Sequence, residues 1–265
     1  MILSAEDVSF SYEEDRPVLR GADLALPGGG MDFLVGPNGS GKSTLLALLA
    51  GALPPRAGRV RLETRALGEI PPGERAALLG WLPQKEEEAF GFTVAETAAL
   101  GLEAGRTGLA LPGPGELARV EQVLALLGLE DLAGRPLNRL SGGERQRARL
   151  AAVLAPRDRP FLLLDEPTSS LDPHRAVQVL EILEDLAREG KALLVVSHDL
   201  NLAALFGRTI HLLAEGRILA SGRPDQVLRR EVLEEAYGPG LVLAAHPQGG
   251  GPVVLPGRTR REVRP

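Results

Sequence analysis

The sequence of 265 residues contains no cysteine, which excludes both a disulfide framework and any metal site built from thiolates. Zinc-ribbon proteins are excluded with it. Long hydrophobic runs are also missing, because the longest, around residues 45–53, is far shorter than the roughly 20 residues that span a bilayer. Residues 1–10 are too acidic and polar for a signal peptide. These absences predict a soluble chain in the cytoplasm.

Lysine is also scarce, since only three of the 30 lysine and arginine residues are lysines, namely Lys42, Lys85 and Lys191. A thermophilic source and a GC-rich genome would both produce an arginine-rich chain, and the two explanations stay equal. The formal net charge is -5, which argues against binding to nucleic acid through bulk electrostatics. We therefore expect no nucleic-acid partner.

The apolar pattern predicts an α/β fold with two kinds of strand. Apolar residues tend to alternate between residues 3 and 26, as in antiparallel strands, and a glycine-rich turn at 27–30 ends this part. Later strand candidates are continuous apolar runs, which is typical of parallel strands covered on both faces. These runs are residues 31–35, 79–82, 161–164 and 192–196. A hairpin around Glu215-Gly216, between 209–214 and 217–221, completes the mixed β core.

Helical patterns dominate between Lys85 and Ala155. Thr93 to Glu96 has the spacing of a capping box, and residues 116–127 are amphipathic with Gly128 as the stop. We interpret this region as a helical subdomain inserted into the core. The predicted division is an α/β core with an N-terminal antiparallel subdomain (1–84 and 156–240), the helical subdomain (85–155) and a C-terminal tail (241–265) whose final residues are loosely ordered.

Residues 36–44 carry the strongest chemical signal. They read Gly-Pro-Asn-Gly-Ser-Gly-Lys-Ser-Thr, the phosphate-binding loop pattern, between a predicted strand and a predicted helix over 43–50. Backbone N–H groups and the helix N-terminus form an anion cradle, Lys42 adds charge at the β- and γ-phosphates, and the Ser43 hydroxyl suits Mg²⁺. The predicted nucleotide contacts are Gly36, Pro37, Asn38, Gly39, Ser40, Gly41, Lys42, Ser43 and Thr44.

Polar residues follow three predicted buried strands, at the strand edge where ligands bind in such sheets. Asp165 and Glu166 end one strand, and we expect Asp165 to hold Mg²⁺ and Glu166 to orient the attacking water. His198 ends another and can contact a γ-phosphate, while Gln84 ends a third and can reach Mg²⁺ or water. Tyr12 is a candidate platform for an adenine base, or only a strand aromatic.

Ser141-Gly142-Gly143-Glu144 has the pattern of a capping box at the start of another helix. Two glycines in the first turn weaken a helix but expose its N–H groups, which suits a second anion site. One phosphate chain could then be held between two helix N-termini. Asp172, before Pro173, is the predicted N-cap of a helix whose apolar face ends near Gly190.

Taken together, Tyr12, GPNGSGKST, Gln84, LSGGERQR, FLLLDE, SSLD and the histidine at 198 resemble the nucleotide-binding subunits of ABC transporters. The resemblance covers nearly the whole chain and implies the P-loop NTPase fold, ATP and Mg²⁺ as cofactors, and a head-to-tail homodimer. In that dimer Ser141, Gly142, Gly143 and Glu144 of one copy face ATP held by the other. It also implies that Asp172 signals across the dimer and that Gln84 links the site to a membrane partner.

Within the family, the chain is most similar to subunits of importers for iron-siderophore complexes, haem or cobalamin. Three stretches carry this similarity, Phe92–Val94, Ser197–Phe206 and Pro252–Pro256, although manganese and zinc importers share parts of them. The implied partners are permease subunits and, indirectly, a periplasmic or extracellular binding protein, with this chain peripheral on the cytoplasmic face. The alternative is a soluble ABC ATPase of iron-sulfur cluster assembly or DNA repair.

The chain departs from the family's pattern in three places: Gly28–Asp32, Ser170 and the acidic run Glu86–Glu88.

Overall fold

The computed structural model describes residues 1–84, 91–103, 113–247 and 251–257, which form strands β1–β12 and helices α1–α9. The strands are β1 Ile2–Ser11, β2 Pro17–Pro27, β3 Gly30–Val35, β4 Ala57–Leu62, β5 Arg65–Ala66, β6 Leu79–Leu82, β7 Phe161–Asp165, β8 Ala192–Val196, β9 Thr209–Ala214, β10 Arg217–Gly222, β11 Leu241–Ala245 and β12 Pro252–Pro256. The helices are α1 Lys42–Leu49, α2 Pro72–Leu78, α3 Val94–Glu103, α4 Pro114–Leu126, α5 Gly142–Leu154, α6 Pro173–Arg188, α7 Leu200–Phe206, α8 Pro224–Val227 and α9 Arg230–Tyr237.

The alternating N-terminal residues form a four-stranded antiparallel sheet in the order β2-β1-β4-β5. Leu3 pairs with Leu26 and Ala5 with Leu24, so these side chains lie on one face. That face is buried and shares a core with α1 and with one face of the second sheet. The prediction of antiparallel strands is confirmed.

The second sheet has six strands in the order β10-β9-β3-β8-β7-β6. All neighbouring pairs are parallel except β9 and β10, which form the hairpin predicted around Glu215-Gly216. Every residue of β7 and β8 is buried, because one core covers each face of the sheet. Parallel strands end at the same edge, so the segments after β3, β7 and β8 come together there. The mixed α/β core is confirmed.

Three helices between β6 and β7 pack against one another, as the helical pattern predicts. Thr93 and Glu96 form the predicted capping box ahead of α3, with the Thr93 N–H donating to Glu96 Oε2 at 2.8 Å. Helix α4 starts two residues earlier than predicted, at Pro114, because Glu116 accepts the N–H of Gly113 at 2.8 Å and so caps the earlier turn. Lys85 and Glu86–Glu88 lie outside the described residues. The boundaries of the helical subdomain stay a prediction.

The chain near its C-terminus is more ordered than its composition suggests. Strands β11 and β12 pair from Leu241 with Pro256 to Ala245 with Pro252. Val254 is buried against the core, so a hydrophobic contact offsets the cost of ordering this Gly- and Pro-rich segment. The sequence predicts no strands at residues 241–256, and residues 258–265, whose looseness it predicts, lie outside the described residues.

A buried ion pair fixes the start of β3 to the loop before β9. Asp32 is 1% exposed, and the Arg208 guanidinium donates to both of its carboxylate oxygens at 2.9 Å. Burial alone would raise the pKa of Asp32, but its interactions with His211 and Arg208 outweigh burial and hold that pKa below its ordinary value. This pair accounts for one departure from the family's pattern, the aspartate in Gly28–Asp32.

Arg208→Ala is expected to lower the free energy of unfolding by about 3 kcal/mol, because it leaves the Asp32 carboxylate buried without its cation. Chemical denaturation at neutral pH measures the loss. Arg188→Ala serves as the control, since Arg188 is 65% exposed and pairs with Glu184 on the surface, where such pairs contribute about 0–1 kcal/mol. Equal, small losses in both variants would show that the buried pair does not stabilise the fold.

Candidate nucleotide site

The loop between β3 and α1 has the backbone shape that its glycines predict. Gly36 has φ 150°, and a Cβ at this position would overlap the carbonyl oxygen of Leu213, so only glycine fits. Helix α1 begins at Lys42, one residue before the predicted start. The Lys42 ammonium folds back along the loop and donates to the carbonyl oxygens of Gly36 at 2.8 Å and Pro37 at 2.9 Å. The Lys42 ammonium therefore ties the two ends of the loop together.

Asp165, at the end of β7, is 3% exposed and faces Ser43 and Lys42. Burial and the neighbouring Glu166 raise its pKa, while a hydrogen bond with Ser43 and the charge of Lys42 oppose that rise. Burial likewise lowers the pKa of Lys42, against the pull of the Glu166 and Asp165 charges. The two carboxylates and the cation therefore stand close enough to perturb one another.

Glu166 occupies a backbone conformation that L-residues rarely adopt, with φ 49°. Its N–H donates to Val196 at 3.0 Å, which ties the turn after β7 to the end of β8. Its side chain is 18% exposed, and Oε1 lies 3.6 Å from Nδ1 of His198. Strain of this kind is found at functional sites, where the surrounding structure holds it in place.

Four predicted residues, Ser43, Gln84, Glu166 and His198, line one cleft of about 590 Å³ together with the phosphate loop. Gln84 follows β6 and is exposed. The predicted catalytic residues Glu166, His198, Gln84 and Lys42 are thus brought together at the carboxyl edge of the parallel strands, as the sequence indicated.

A second cleft of about 530 Å³ continues from the first and shares Val18 and Gly39 with it. Tyr12 lines it with 63% of its surface exposed, and its hydroxyl lies 3.3 Å from Thr44 Oγ1. An exposed aromatic face beside a phosphate loop suits a nucleotide base. Arg16, which the sequence did not single out, lines the same cleft.

Ser141 and Gly142 are exposed at the start of α5 and line neither cleft. The predicted capping box is present, since the Ser141 N–H donates to Glu144 Oε2 at 2.7 Å and the Glu144 N–H to Ser141 Oγ at 3.3 Å. Gly143 has a packing reason as well, because a Cβ there would lie 2.9 Å from the carbonyl oxygen of Ser170. Because Ser141 and Gly142 are exposed, the start of α5 is nevertheless open to an anion from outside the chain.

Gln146 supports the backbone of Glu166, whereas Asp172 lies away from both clefts. Gln146 on α5 is only 9% exposed and donates from Nε2 to the carbonyl oxygen of Glu166 at 3.2 Å. The sequence did not predict this contact. The only hint was its place in LSGGERQR, four residues after Gly142. Asp172 lines neither cleft and instead caps α6, accepting the Arg175 N–H at 3.1 Å.

The donor set fits Mg²⁺ held jointly with phosphate. Asp165 Oδ1 is buried and finds no hydrogen-bond partner among the described residues, so it is free to accept a cation. The same part of the chain holds no group of three or more His, Asp or Glu side chains arranged for a metal. Mg²⁺ needs no such cage, because substrate phosphates and water supply most of its ligands.

The profile of the ABC transporter family matches residues 19–169. The hemin import ATP-binding protein HmuV of Jannaschia sp. is 42% identical over 254 residues, covering 92% of this chain and 91% of that protein. HmuV of Myxococcus xanthus is 42% identical over 240 residues, covering 88% of this chain and 89% of that protein.

Two solved structures carry the same fold. A transporter ascribed to the metal-chelate type, in an inward-facing conformation, has a TM-score of 0.80 and 27% identity and covers 96% of both chains. A dimeric ATP-binding cassette in a post-hydrolysis state with ADP and phosphate has a TM-score of 0.76 and 28% identity, covering 83% of this chain and 98% of that one.

Proposed function

Because this chain belongs to the ABC transporter family, as the ATP-hydrolysing subunit of an importer, we propose that haem is the cargo that it drives across the membrane. The observation that carries the cargo is the 42% identity to a hemin import protein over 92% of this chain. Of the iron-siderophore, haem and cobalamin systems that the sequence resembles, these relatives favour haem. They do not favour the alternative of a soluble assembly or repair ATPase.

The loop 36–44 and Lys42 hold the β- and γ-phosphates of ATP in this proposal, and Tyr12 stacks on the adenine. Asp165 and Ser43, with Gln84, would hold Mg²⁺, which neutralises charge on the phosphates when it is bound. The supporting observations are the closed phosphate loop and the unpaired, buried Oδ1 of Asp165.

Glu166 orients the attacking water and accepts its proton, while the water oxygen bonds to the γ-phosphorus and ADP leaves. His198, whose Nδ1 lies 3.6 Å from Glu166 Oε1 and whose side chain is 59% exposed, would contact the γ-phosphate. Glu166 has a positive φ, and Gln146 donates a hydrogen bond to its backbone carbonyl oxygen. In this proposal these two features hold the Glu166 carboxylate in position before the reaction begins.

A second copy of the chain completes the site. The N-terminus of α5 is exposed, and neither Ser141 nor Gly142 lines the cleft of its own chain. A head-to-tail homodimer would place Ser141, Gly142, Gly143 and Glu144 of one copy against ATP held by the other, because a helix N-terminus attracts phosphate. Asp172, beside the same contact, would carry the signal between the two sites.

No helix among the described residues is long and apolar enough to cross a bilayer. In this proposal the chain acts together with a membrane partner. We place it on the cytoplasmic face, bound to permease subunits that receive cargo from an external binding protein. Gln84, which lines the cleft just after β6, is the proposed link to the permease.

Co-purification tests this assignment. The tagged chain is expressed with the products of its neighbouring genes, extracted in mild detergent, and its partners are identified by mass spectrometry. We expect a multi-span permease in stoichiometric amount. The permease should also stay bound to the Glu166→Gln variant, because Glu166 lies inside the cleft. Recovery of soluble proteins alone would contradict the importer function.

A further inference from the structure

One side chain of helix α7, that of Asn201, makes two hydrogen bonds to the hairpin of β11 and β12. The amide of Asn201 donates from Nδ2 to the carbonyl oxygen of Val254 at 3.2 Å and accepts the Val254 N–H on Oδ1 at 2.8 Å. Val254 itself is 7% exposed. This two-way contact joins positions 53 residues apart and uses both polar groups of the amide.

Helix α7 begins at Leu200, two residues after His198, with Asp199 as its N-cap. Asp199 caps the helix by accepting the N–H of Asn201 at 2.9 Å and of Leu202 at 3.0 Å. Ser197 Oγ accepts the Asp199 N–H at 3.0 Å. His198 is 59% exposed, so little packing holds its side chain, and its position depends on the backbone of this first turn. The contact with Val254 is made from that same turn.

The same C-terminal part of the chain also reaches the phosphate loop. Tyr237 ends α9, four residues before β11, and its buried hydroxyl lies near the backbone N–H of Gly36 without a hydrogen-bond partner among the described residues. Burial raises the pKa of Tyr237 to about 12, against the opposite influence of the Gly36 amide, so the phenol stays neutral at physiological pH. Tyr237 and Val254 therefore lie beside the phosphate loop and beside the first turn of α7, respectively.

We propose that Asn201 is a positioning residue, through which the hairpin β11–β12 braces the first turn of α7 and holds His198 in line with the γ-phosphate. The proposal rests on the role of His198 in the proposed function. It assigns a catalytic purpose to a C-terminal segment that otherwise lies outside the cleft.

A double-mutant cycle tests it in the full-length chain. Asn201→Ala is expected to lower kcat for ATP about tenfold, the scale of a sub-ångström misplacement, with KM within about twofold of the wild type. In a His198→Ala background, Asn201→Ala should lower kcat no further, because the group that it positions is gone. Leu255→Ala, the outward-facing neighbour on β12 at 44% exposure, is the matched control with wild-type turnover.

Each outcome decides the matter. Independent, multiplying losses in the double variant, or wild-type turnover in Asn201→Ala, would overturn the brace alone. Wild-type turnover in His198→Ala would overturn the role of His198 and this proposal with it. If Asn201→Ala does not fold by its melting curve, Asn201→Asp replaces it in the same cycle, since that side chain can still accept the Val254 N–H but no longer donates.

Discussion

Glu166→Gln is expected to lower the ATP turnover of this chain at least ~100-fold, the scale for loss of a general base, while ATP still binds. Glutamine has nearly the same shape and can occupy the cleft, but it cannot take a proton from the attacking water. The neighbouring Asp165 and Lys42 keep their places, so the phosphate contacts survive. The variant therefore distinguishes the proposed catalytic role of the Glu166 carboxylate from nucleotide binding by the loop.

Two measurements check this result: steady-state phosphate release and equilibrium binding of a fluorescent ATP analogue. Glu189→Gln, an exposed residue after α6, is the control that makes the same chemical change away from the cleft. Near-normal turnover in Glu166→Gln would remove Glu166 from its assigned role. Loss of binding together with turnover would instead indicate that Glu166 mainly holds the nucleotide.

Ser141→Arg is expected to abolish hydrolysis without lowering the affinity of the isolated monomer for ATP. Ser141 is exposed and outside the cleft of its own chain, so the monomer can accommodate the long side chain. The helix cap is lost, at a cost of about 1 kcal/mol in stability. In a head-to-tail dimer, however, the arginine obstructs the site of the other copy. Gln122→Arg, exposed on α4, is the matched control that should keep its activity.

Mixing two inactive variants separates a shared site from an unshared one. A dimer of one Ser141→Arg chain and one Glu166→Gln chain has one intact site, formed by the loop and Glu166 of the first with Ser141 of the second. An equal mixture should therefore recover about a quarter of the wild-type sites, since about half of the dimers are mixed and each has one good site of two. A mixture as inactive as its components would indicate that each chain builds its site alone.

The arrangement of the candidate site could be predicted because it follows from local sequence patterns and from the common direction of parallel strands. The loop at 36–44 has a fixed sequence between a strand and a helix, and the residues that end neighbouring parallel strands must meet at one edge. Glu166 and His198 could therefore be expected to come together without knowledge of side-chain packing, and both line the cleft. The capping boxes at Thr93 and Ser141 were equally local, and both are present.

The contacts that escaped prediction join distant residues. Gln146 supports Glu166 across the packing of α5 on β7, and Asp32 pairs with Arg208 across 176 positions. The hairpin near the C-terminus was missed because Gly- and Pro-rich composition describes local preference, whereas β11–β12 is stabilised by contacts with α7. Partner identity is beyond such patterns, since any partner is a separate chain.

The most direct test of the central claim is haem uptake by the reconstituted complex. Liposomes carrying the chain with its permease receive haem-loaded binding protein outside and ATP with Mg²⁺ inside, and haem accumulation is followed by absorbance. The account predicts uptake that requires ATP and is lost with Glu166→Gln. Accumulation that is equal without ATP, or unchanged in the Glu166→Gln complex, would contradict it.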